Sequence, residues 1–267
     1  MLPSPGPNRA ALITGASSGI GAEIARELSR RGHHVVLVAR RTEQLTALAE
    51  ELNGPSSVVG ADLSKPDDRA ALPDRIAALG LEVDILVNNA GLSTTGPVSA
   101  ADPGAELNVV EVDVAAVVDL CTRFVASMVS RRRGAVLNVA SLGAFGPLPG
   151  QAVYGAAKAF VLSYTHALRE ELKPSGVTAT TLCPGPVKTG FGEAAGISDE
   201  DAEAALPKPL WVSAEDVATA AVDGLAAGKP VVVPGRLNHA ATLVYQLTPK
   251  RLLLPMLARS HPSLKKK

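Results

Sequence analysis

The stretch Ala10-Ala11-Leu12-Ile13-Thr14-Gly15-Ala16-Ser17-Ser18-Gly19-Ile20-Gly21 decides the fold that we expect for this chain. Its apolar half, residues 10–14, predicts a buried strand, and residues 22–31 have a helical pattern. Glycines between a strand and a helix let the backbone approach a ligand closely, and the helix N-terminus offers free N–H groups. We therefore expect a diphosphate-binding turn here rather than a flexible turn before an ordinary helix.

Short apolar segments alternate with helical patterns along the rest of the chain. Further strands are predicted at residues 34–39, 57–60, 83–87, 135–139, 177–182 and 231–233, and a long helix at residues 106–132. Because strands and helices alternate throughout, we expect an α/β fold. It would be a single Rossmann-type, doubly wound domain, whose parallel sheet of about seven strands has helices on both faces.

Composition and charge exclude several classes of protein. The chain has 267 residues, 46% of them apolar, and 26 basic residues balance 26 acidic ones, so a nucleic-acid binder is not expected. Cys121 and Cys183 cannot form a disulfide framework, and the spacing of possible ligands predicts no metal site. The sequence shows no secretion signal and no apolar run of ~18 residues, so we expect a cytoplasmic location.

The end of the second predicted strand indicates which dinucleotide such a fold would bind. This strand end lies beside the adenosine ribose in dinucleotide-binding folds, and an acidic residue there would select NAD. Here it reads Ala39-Arg40-Arg41. A guanidinium pairs well with a 2′-phosphate, so NADP is favoured, with Arg40 as its partner. The alternative is that both arginines are solvated residues at the start of the next helix, which fits Arg41 better than Arg40.

Tyr154 and Lys158 form a second candidate site. They are four residues apart, so on a helix both side chains point from one face. A neighbouring ammonium favours the phenolate, which lowers the pKa of a tyrosine from its free value of about 10. Tyr154 would then be a usable general acid or base. The alternative is an ordinary surface helix, because this spacing often occurs by chance.

Several separated motifs together resemble the short-chain dehydrogenase/reductase superfamily, in its single-domain form, over residues 10–234. They are Thr14-Gly15-x-x-x-Gly19-x-Gly21, Asp62-Leu63, Asn88-Asn89-Ala90-Gly91, Ser141, Tyr154-x-x-x-Lys158, and Pro184-Gly185 with Thr189. Within the superfamily, the chain looks most like the NADP-type bacterial reductases. The resemblance implies an oxidoreductase that interconverts a carbonyl and a secondary alcohol, and a homo-dimer or homo-tetramer.

The same resemblance implies roles for individual residues. Tyr154 would be the acid/base, Lys158 would lower its pKa and bind the nicotinamide ribose, and Ser141 would hold the substrate oxygen. The diphosphate would be surrounded by Gly15, Ser17, Gly19 and Ile20, and the adenine would be flanked by Asp62 and Leu63. The cofactor path would be lined by Asn89 and Gly91 and bordered by Pro184 and Gly185. The carboxamide would contact Val187 and Thr189. Leu92, Ser93, Leu142, Phe145, Phe191 and Trp211 would form a mostly apolar substrate side.

The chain departs from the family pattern at one position. Many members carry an asparagine in the long central helix, where it supports a water relay behind the lysine. The matching residue here is Asp113, which is nearly isosteric but only accepts hydrogen bonds when ionised. If the residue positions a backbone kink, the exchange is tolerated; if its amide must donate, the relay is altered. We keep Asp113 as a possible fourth catalytic residue.

The two ends of the chain lie outside the resemblance. We expect residues 1–9 to form a flexible N-terminus, residues 10–235 the domain, and residues 236–267 an apolar and basic extension on or near the substrate side. The extension should be partly helical, broken at Pro249 and Pro255. It could pack over the substrate cleft or a partner subunit, which the prolines favour, or make a peripheral contact with an anionic membrane. A non-catalytic protein of the same fold, either dinucleotide-sensing or peripherally membrane-associated, is the alternative to an enzyme.

Overall fold

A computed structural model describes residues 2–197, 200, 206–260 and 264. Its strands form one parallel sheet in the order β3-β2-β1-β4-β5-β6-β7. The strands are β1 Arg9–Thr14, β2 His34–Ala39, β3 Ser56–Gly60, β4 Glu82–Asn88, β5 Gly134–Val139, β6 Val177–Leu182 and β7 Val231–Val232. The predicted seven-stranded Rossmann-type fold is confirmed.

Helices connect the strands and then continue beyond the sheet. They are α1 Gly19–Arg30, α2 Thr42–Glu51, α3 Pro66–Ala77, α4 Pro103–Val110, α5 Ala116–Ser130, α6 Ala152–Leu172, the short α7 Phe191–Ala194, α8 Ala214–Ala226, α9 Arg236–Leu247 and α10 Lys250–Ser260. In the described part of the chain, no helix is both long enough and apolar enough to cross a bilayer.

A hydrophobic core lies on each face of the sheet. Alternate residues of β1 enter different cores: Leu12 packs with residues of α3, α5 and α6, while Ile13 packs with residues of α1, α2 and α8. This is the period of two that a strand buried on both faces requires. The sheet order reverses between β1 and β4, and ligands of such sheets bind at the carboxyl ends of the strands beside this point.

The long helix predicted at residues 106–132 is not continuous. It begins earlier, at Pro103, where Asp102 caps it by accepting a hydrogen bond from the Ala105 N–H. A π-helical turn, Glu111–Ala115, then separates α4 from α5. Such turns insert one extra residue and often occur at functional sites. Here the turn contains Asp113.

The C-terminal extension is helical over more of its length than the prolines indicated. Pro249 lies between α9 and α10, as expected, but Pro255 is inside α10 and does not end it. The expected break at Pro255 is therefore wrong, although a proline there removes one helical hydrogen bond. Residues 198–199 and 201–205 of the predicted irregular segment, and the lysine run at 265–267, lie outside the described residues.

Candidate functional site

The glycine turn between β1 and α1 is a tight cradle that side chains would fill. Gly15 and Gly19 have positive φ angles of 65° and 58°. A Cβ atom on Gly19 would lie 2.8 Å from the Thr189 Cβ, and one on Gly21 would lie 2.4 Å from the Gly15 carbonyl oxygen. Among the described residues, no side chain caps the N-terminus of α1, whose N–H groups therefore remain available to an anion.

Thr14 and Asn89 fix the position of this turn against the end of β4. The Asn89 side-chain amide donates to the carbonyl oxygens of Thr14 at 2.9 Å and Gly15 at 3.3 Å. The Thr14 hydroxyl donates to the Val87 carbonyl and accepts from the backbone N–H groups of Asn89 and Ala90. Asn89, predicted to line the cofactor path, thus also holds the cradle in shape.

The end of β2 presents two arginines to a surface cavity of about 260 Å³, lined by Arg40, Arg41, Thr42, Glu43 and Gln44. Arg41 is exposed but also donates to the Ser17 and Ser18 hydroxyls, each at 3.1 Å, so it contacts the glycine turn. Arg40 is exposed and lies near Asp62. Spacing alone could not distinguish the two arginines, because their directions depend on where β2 ends.

Asp62 and Leu63, which were predicted to flank the adenine, lie in a second turn, after β3. Burial alone would raise the pKa of Asp62, but hydrogen bonds from Ser64 and the charges of Arg40 and Lys65 lower it below its ordinary value. One Asp62 oxygen accepts from the Ser64 N–H at 3.1 Å and from its hydroxyl at 2.8 Å. Leu63 is buried in the core. The turn is thus held rigidly at the sheet edge where the adenine is expected.

Tyr154, Ser141 and Phe191 converge at the carboxyl ends of β5 and β6. Tyr154 lies in the first turn of α6, close enough to Ser141 for the serine hydroxyl to affect the pKa of the phenol. Ser141 directly follows Ala140 at the end of β5, and its hydroxyl also accepts from the Gly143 N–H at 3.1 Å. The ring of Phe191 lies 5.8 Å from the Tyr154 ring, centre to centre. The hydroxyls of Ser141 and Tyr154 therefore lie beside the apolar side chain of Phe191.

Lys158 is held behind Tyr154 by Asp113. The Lys158 Nζ lies 2.9 Å from Asp113 Oδ2, donates to the Val139 carbonyl oxygen at 3.2 Å, and is 5.7 Å from the centre of the Tyr154 ring. The other Asp113 oxygen accepts from the Leu92 N–H at 2.7 Å. Asp113 is fully buried and Lys158 is 4% exposed. The π-helical turn thus places a carboxylate where it neutralises the lysine.

The ion pair between Asp113 and Lys158 changes the pKa that we expect for Tyr154. Burial raises the pKa of Tyr154; the charge of Lys158 and the Ser141 hydrogen bond lower it, while Asp113 raises it again. The net direction is upward, so the expected fall in the pKa of Tyr154 is wrong for this structure. The physical reason is that burial outweighs a lysine whose charge is already offset by a carboxylate. The pKa of Lys158 is raised: burial lowers it, but the negative charges of Asp113, Tyr154 and Cys183 and the Asp113 hydrogen bond together more than compensate.

The segment after β6 reaches back to the glycine turn. Thr189 lies against Gly19, and Val187 packs on the core shared with α1. Pro184 accepts a hydrogen bond through its carbonyl oxygen from the Leu142 N–H at 2.9 Å. Gly185 lies where a Cβ atom would meet the Asn238 side chain at 2.5 Å. These contacts bring the predicted cofactor residues of β1 and β6 to one edge of the sheet.

The predicted substrate residues divide into two groups. Leu92, Ser93 and Leu142 lie in the loops that surround Tyr154 and Asp113, and Ser93 accepts from the Gln151 side chain, next to α6, at 2.8 Å. Phe145 packs on the core. The Lys188 ammonium lies over the Trp211 ring, and its Nζ is 5.9 Å from the centre of that ring. A cavity of about 430 Å³ opens beside Ser93, between the loop after β4 and α7.

A buried polar network under the site was not apparent from the sequence. Asn88 and Asn138 are paired residues of β4 and β5, and the Asn88 amide donates to Asn138 Oδ1 at 2.8 Å. The Asn138 amide donates to the Thr165 hydroxyl of α6 at 2.9 Å. The Cys121 thiol joins this group, and burial raises its pKa to about 11. Two asparagines ending apolar strands were the only signal available.

A parallel sheet with a glycine turn at its switch point defines the class of Rossmann-type dinucleotide-binding proteins. Comparison with known proteins narrows this class: residues 9–199 match the family described as short chain dehydrogenase, and the chain belongs to that family. Sulfoacetaldehyde reductase 2 of Chromohalobacter salexigens is 35% identical over 212 residues, which are 78% of this chain and 84% of that protein.

Solved structures show the same fold. A short-chain dehydrogenase from Sphingobium yanoikuyae in complex with NADPH superposes with a TM-score of 0.77 and 30% identity, over 91% of this chain and 97% of that one. A short chain dehydrogenase/reductase from Burkholderia phymatum in complex with NAD gives a TM-score of 0.81 at 24% identity, over 96% and 97% of the two chains. The predicted superfamily is therefore confirmed.

Proposed function

We propose that this protein is an NADP(H)-dependent oxidoreductase that interconverts a carbonyl and a secondary alcohol on a hydrophobic small molecule. The observation that carries the proposal is the convergence of Ser141, Tyr154 and Lys158 at the sheet edge that also holds the glycine turn. A sensor needs the glycine turn but has no use for a phenol, a hydroxyl and an ammonium at one point. Membership of an oxidoreductase family and a relative named as an aldehyde reductase support the same reaction type.

The residues present fit a bound dinucleotide. Gly15, Gly19 and Gly21 leave a cradle that side chains would fill, and the N-terminus of α1 points N–H groups towards it. At the end of β2, Arg40 and Arg41 would bind a 2′-phosphate, and no carboxylate follows directly to accept from a ribose hydroxyl. These features favour NADP over NAD.

When bound, NADPH would supply the hydride, and the protein would supply the proton and the geometry. A carbonyl oxygen placed between the Ser141 and Tyr154 hydroxyls would accept hydrogen bonds from both. Because the pKa of Tyr154 is raised, its phenol is protonated at neutral pH, which is the form that donates a proton to this oxygen. Ser141 would stabilise the negative charge that develops there.

Lys158 and Asp113 would act behind this pair. Lys158 is poised to stabilise the phenolate once Tyr154 has given up its proton, because its Nζ lies 5.7 Å from the ring centre. Asp113 fixes the position of Lys158 and reduces its effect on the phenol through the 2.9 Å ion pair. Gly91 leaves room for this pair, since a Cβ atom there would be 3.1 Å from both charged groups. Asp113 is thus a positioning residue.

The surroundings of Tyr154 favour an apolar substrate. Phe191, whose ring packs against Tyr154, is 37% exposed, so it can contact a ligand. Leu142 and Leu148 lie in the loop that begins at Ser141, and a Cβ atom on Gly143 of that loop would be 3.3 Å from the Leu148 side chain. A hydrophobic ketone or aldehyde would be bound through such contacts, with the hydroxyl pair fixing its oxygen.

The test is NADPH oxidation across a panel of apolar ketones and aldehydes, with Tyr154→Phe as the matched variant. We expect turnover by the wild type and a loss of 10²-fold or more, roughly, in kcat for the variant. Binding of NADPH, followed by its fluorescence, should be retained. Undiminished turnover by Tyr154→Phe would contradict the mechanism. NADPH binding by a wild type that reduces no carbonyl compound would favour the sensing role instead.

A further inference from the structure

Helix α9 exposes an apolar stripe instead of burying it. Leu237, Leu243, Val244 and Leu247 are 52%, 51%, 56% and 80% exposed. At 100° per residue they occupy about one third of the helix circumference. The opposite side of α9 carries the buried residues Asn238 and Thr242. A helix of a globular domain normally directs its apolar stripe to the core, so this outward direction indicates a surface that binds something.

Helix α10 repeats this arrangement. Leu253 is only 1% exposed, whereas Leu252 and Met256 are 62% and 58% exposed. Leu252, Met256 and Arg259 are spaced four and three residues apart, so they share one side of the helix. Six of the fourteen large apolar side chains that are exposed in the described part of the chain lie on α9 and α10. We call this pair of outward faces the C-terminal apolar face.

The charged residues of α9 and α10, like those of the whole chain after Asp223, have one sign. After Asp223 the chain contains no acidic residue but eight basic ones, whereas all 26 acidic residues and only eighteen basic ones precede Gly224. Among the described residues, Arg236, Lys250, Arg251 and Arg259 are exposed on α9 and α10. The balanced net charge of the chain therefore conceals a positive end and a negative remainder.

The inner sides of the two helices rest on the loop that begins at Ser141. Tyr245 and Leu253 lie against Gly146: a Cβ atom on this glycine would be 3.0 Å from Tyr245 Cδ1 and 3.8 Å from Leu253 Cδ2. Helices α9 and α10 therefore cover the loop that begins at Ser141, and the C-terminal apolar face lies on their outer side.

We propose that the C-terminal apolar face docks on an anionic phospholipid surface. Exposed leucines beside arginines and lysines are the combination that binds such a surface, with apolar side chains at the acyl boundary and cations at the headgroups. A second copy of this chain fits less well, because two faces that carry only positive charge would be brought together. Docking would leave the loop that begins at Ser141 one helix layer from the lipid, in which a hydrophobic carbonyl compound would be concentrated.

Vesicle sedimentation with the full-length protein tests this proposal without reference to its catalytic activity. Vesicles of phosphatidylcholine with phosphatidylglycerol are compared with vesicles of phosphatidylcholine alone, at low and at high salt. We expect pelleting with the anionic vesicles that decreases at high salt. The variant Lys250→Gln/Arg251→Gln/Arg259→Gln should partition on the order of 100-fold more weakly, since each basic residue near the lipid contributes about a factor of five.

A second variant tests the apolar contribution. Val244→Gln/Leu247→Gln/Met256→Gln should also lose binding, while the matched control Leu79→Gln/Leu107→Gln, which changes exposed leucines elsewhere, should bind like the wild type. Thermal unfolding checks that each variant is folded. Failure of the wild type to pellet would refute the proposal, and so would equal pelleting of all variants. A change of oligomeric state in either face variant, without vesicle binding by the wild type, would identify a second copy as the occupant.

Discussion

Replacing Asp113 by asparagine would remove a buried negative charge behind Tyr154, and we expect it to lower the pKa of the Tyr154 phenol. The Lys158 Nζ is 2.9 Å from Asp113 Oδ2 and 5.7 Å from the ring centre, so the carboxylate lies within the sum of these distances, about 8.6 Å, of the ring. At an effective dielectric constant of ~20, this separation gives about 2 kcal/mol of repulsion between carboxylate and phenolate. One pKa unit is about 1.4 kcal/mol, so the pKa should fall by about 1.4 units.

The same substitution should also destabilise the fold. One Asp113 oxygen accepts from the Leu92 N–H and the other faces the Lys158 ammonium. An amide has only one acceptor oxygen, so its NH₂ group must face one of these two donors. A donor left unsatisfied in this buried position costs about 1–3 kcal/mol, which denaturant unfolding would measure.

The assay for the pKa is an ultraviolet difference titration of tyrosinate. The chain has three tyrosines, so subtracting the titration of a Tyr154→Phe background from that of the parent isolates Tyr154. Glu111→Gln is the matched control, since it makes the same chemical change in the same π-helical turn at a side chain that is 47% exposed. We expect the control to titrate like the wild type. An unchanged or raised pKa for Tyr154 in Asp113→Asn would refute the reasoning.

Three further predictions concern the cradle, the cofactor and the buried network. Gly19→Ala should weaken NADPH binding and lower the free energy of unfolding by about 1–3 kcal/mol, because φ is 58° and the new Cβ atom would be too close to Thr189. Gly80 also has a positive φ but open space around it, so Gly80→Ala measures the backbone contribution alone in the same unfolding assay. Arg41→Gln should raise the Kd for NADPH more than that for NADH, and equal changes would exclude a 2′-phosphate contact. Asn138→Ala should cost about 1–3 kcal/mol in urea unfolding, because Asn88 and Thr165 each lose one buried hydrogen bond.

The fold can be predicted from the sequence because the sequence patterns that determine it are local. Apolar segments of five or six residues followed by helical patterns predict each strand, and right-handed crossovers leave few ways to arrange them. The glycine turn is recognisable for a similar reason: the positive φ angles of Gly15 and Gly19 belong to the turn itself, although the side chains that approach these glycines, Asn89 and Thr189, come from later in the chain.

Features that depend on tertiary contacts were not predictable. The π-helical turn at Glu111–Ala115 and the ion pair between Asp113 and Lys158 come from helices 45 residues apart in sequence, and the upward pKa of Tyr154 follows from their burial. The direction of Arg41 towards Ser17 and Ser18 depends on where β2 ends and on how the glycine turn lies beside it. The C-terminal apolar face required knowing which sides of α9 and α10 are covered.

The most direct test of the central claim is deuterium transfer from NADPH labelled at nicotinamide C4 to a carbonyl substrate. Each stereoisomer of the label is incubated with the substrate that the panel identifies, and the product is analysed by mass spectrometry. Our account predicts an alcohol with one deuterium at the carbinol carbon from one of the two isomers, and strongly reduced formation of it by Tyr154→Phe. An alcohol without deuterium from either isomer, or equal labelling rates for wild type and Tyr154→Phe, would contradict it.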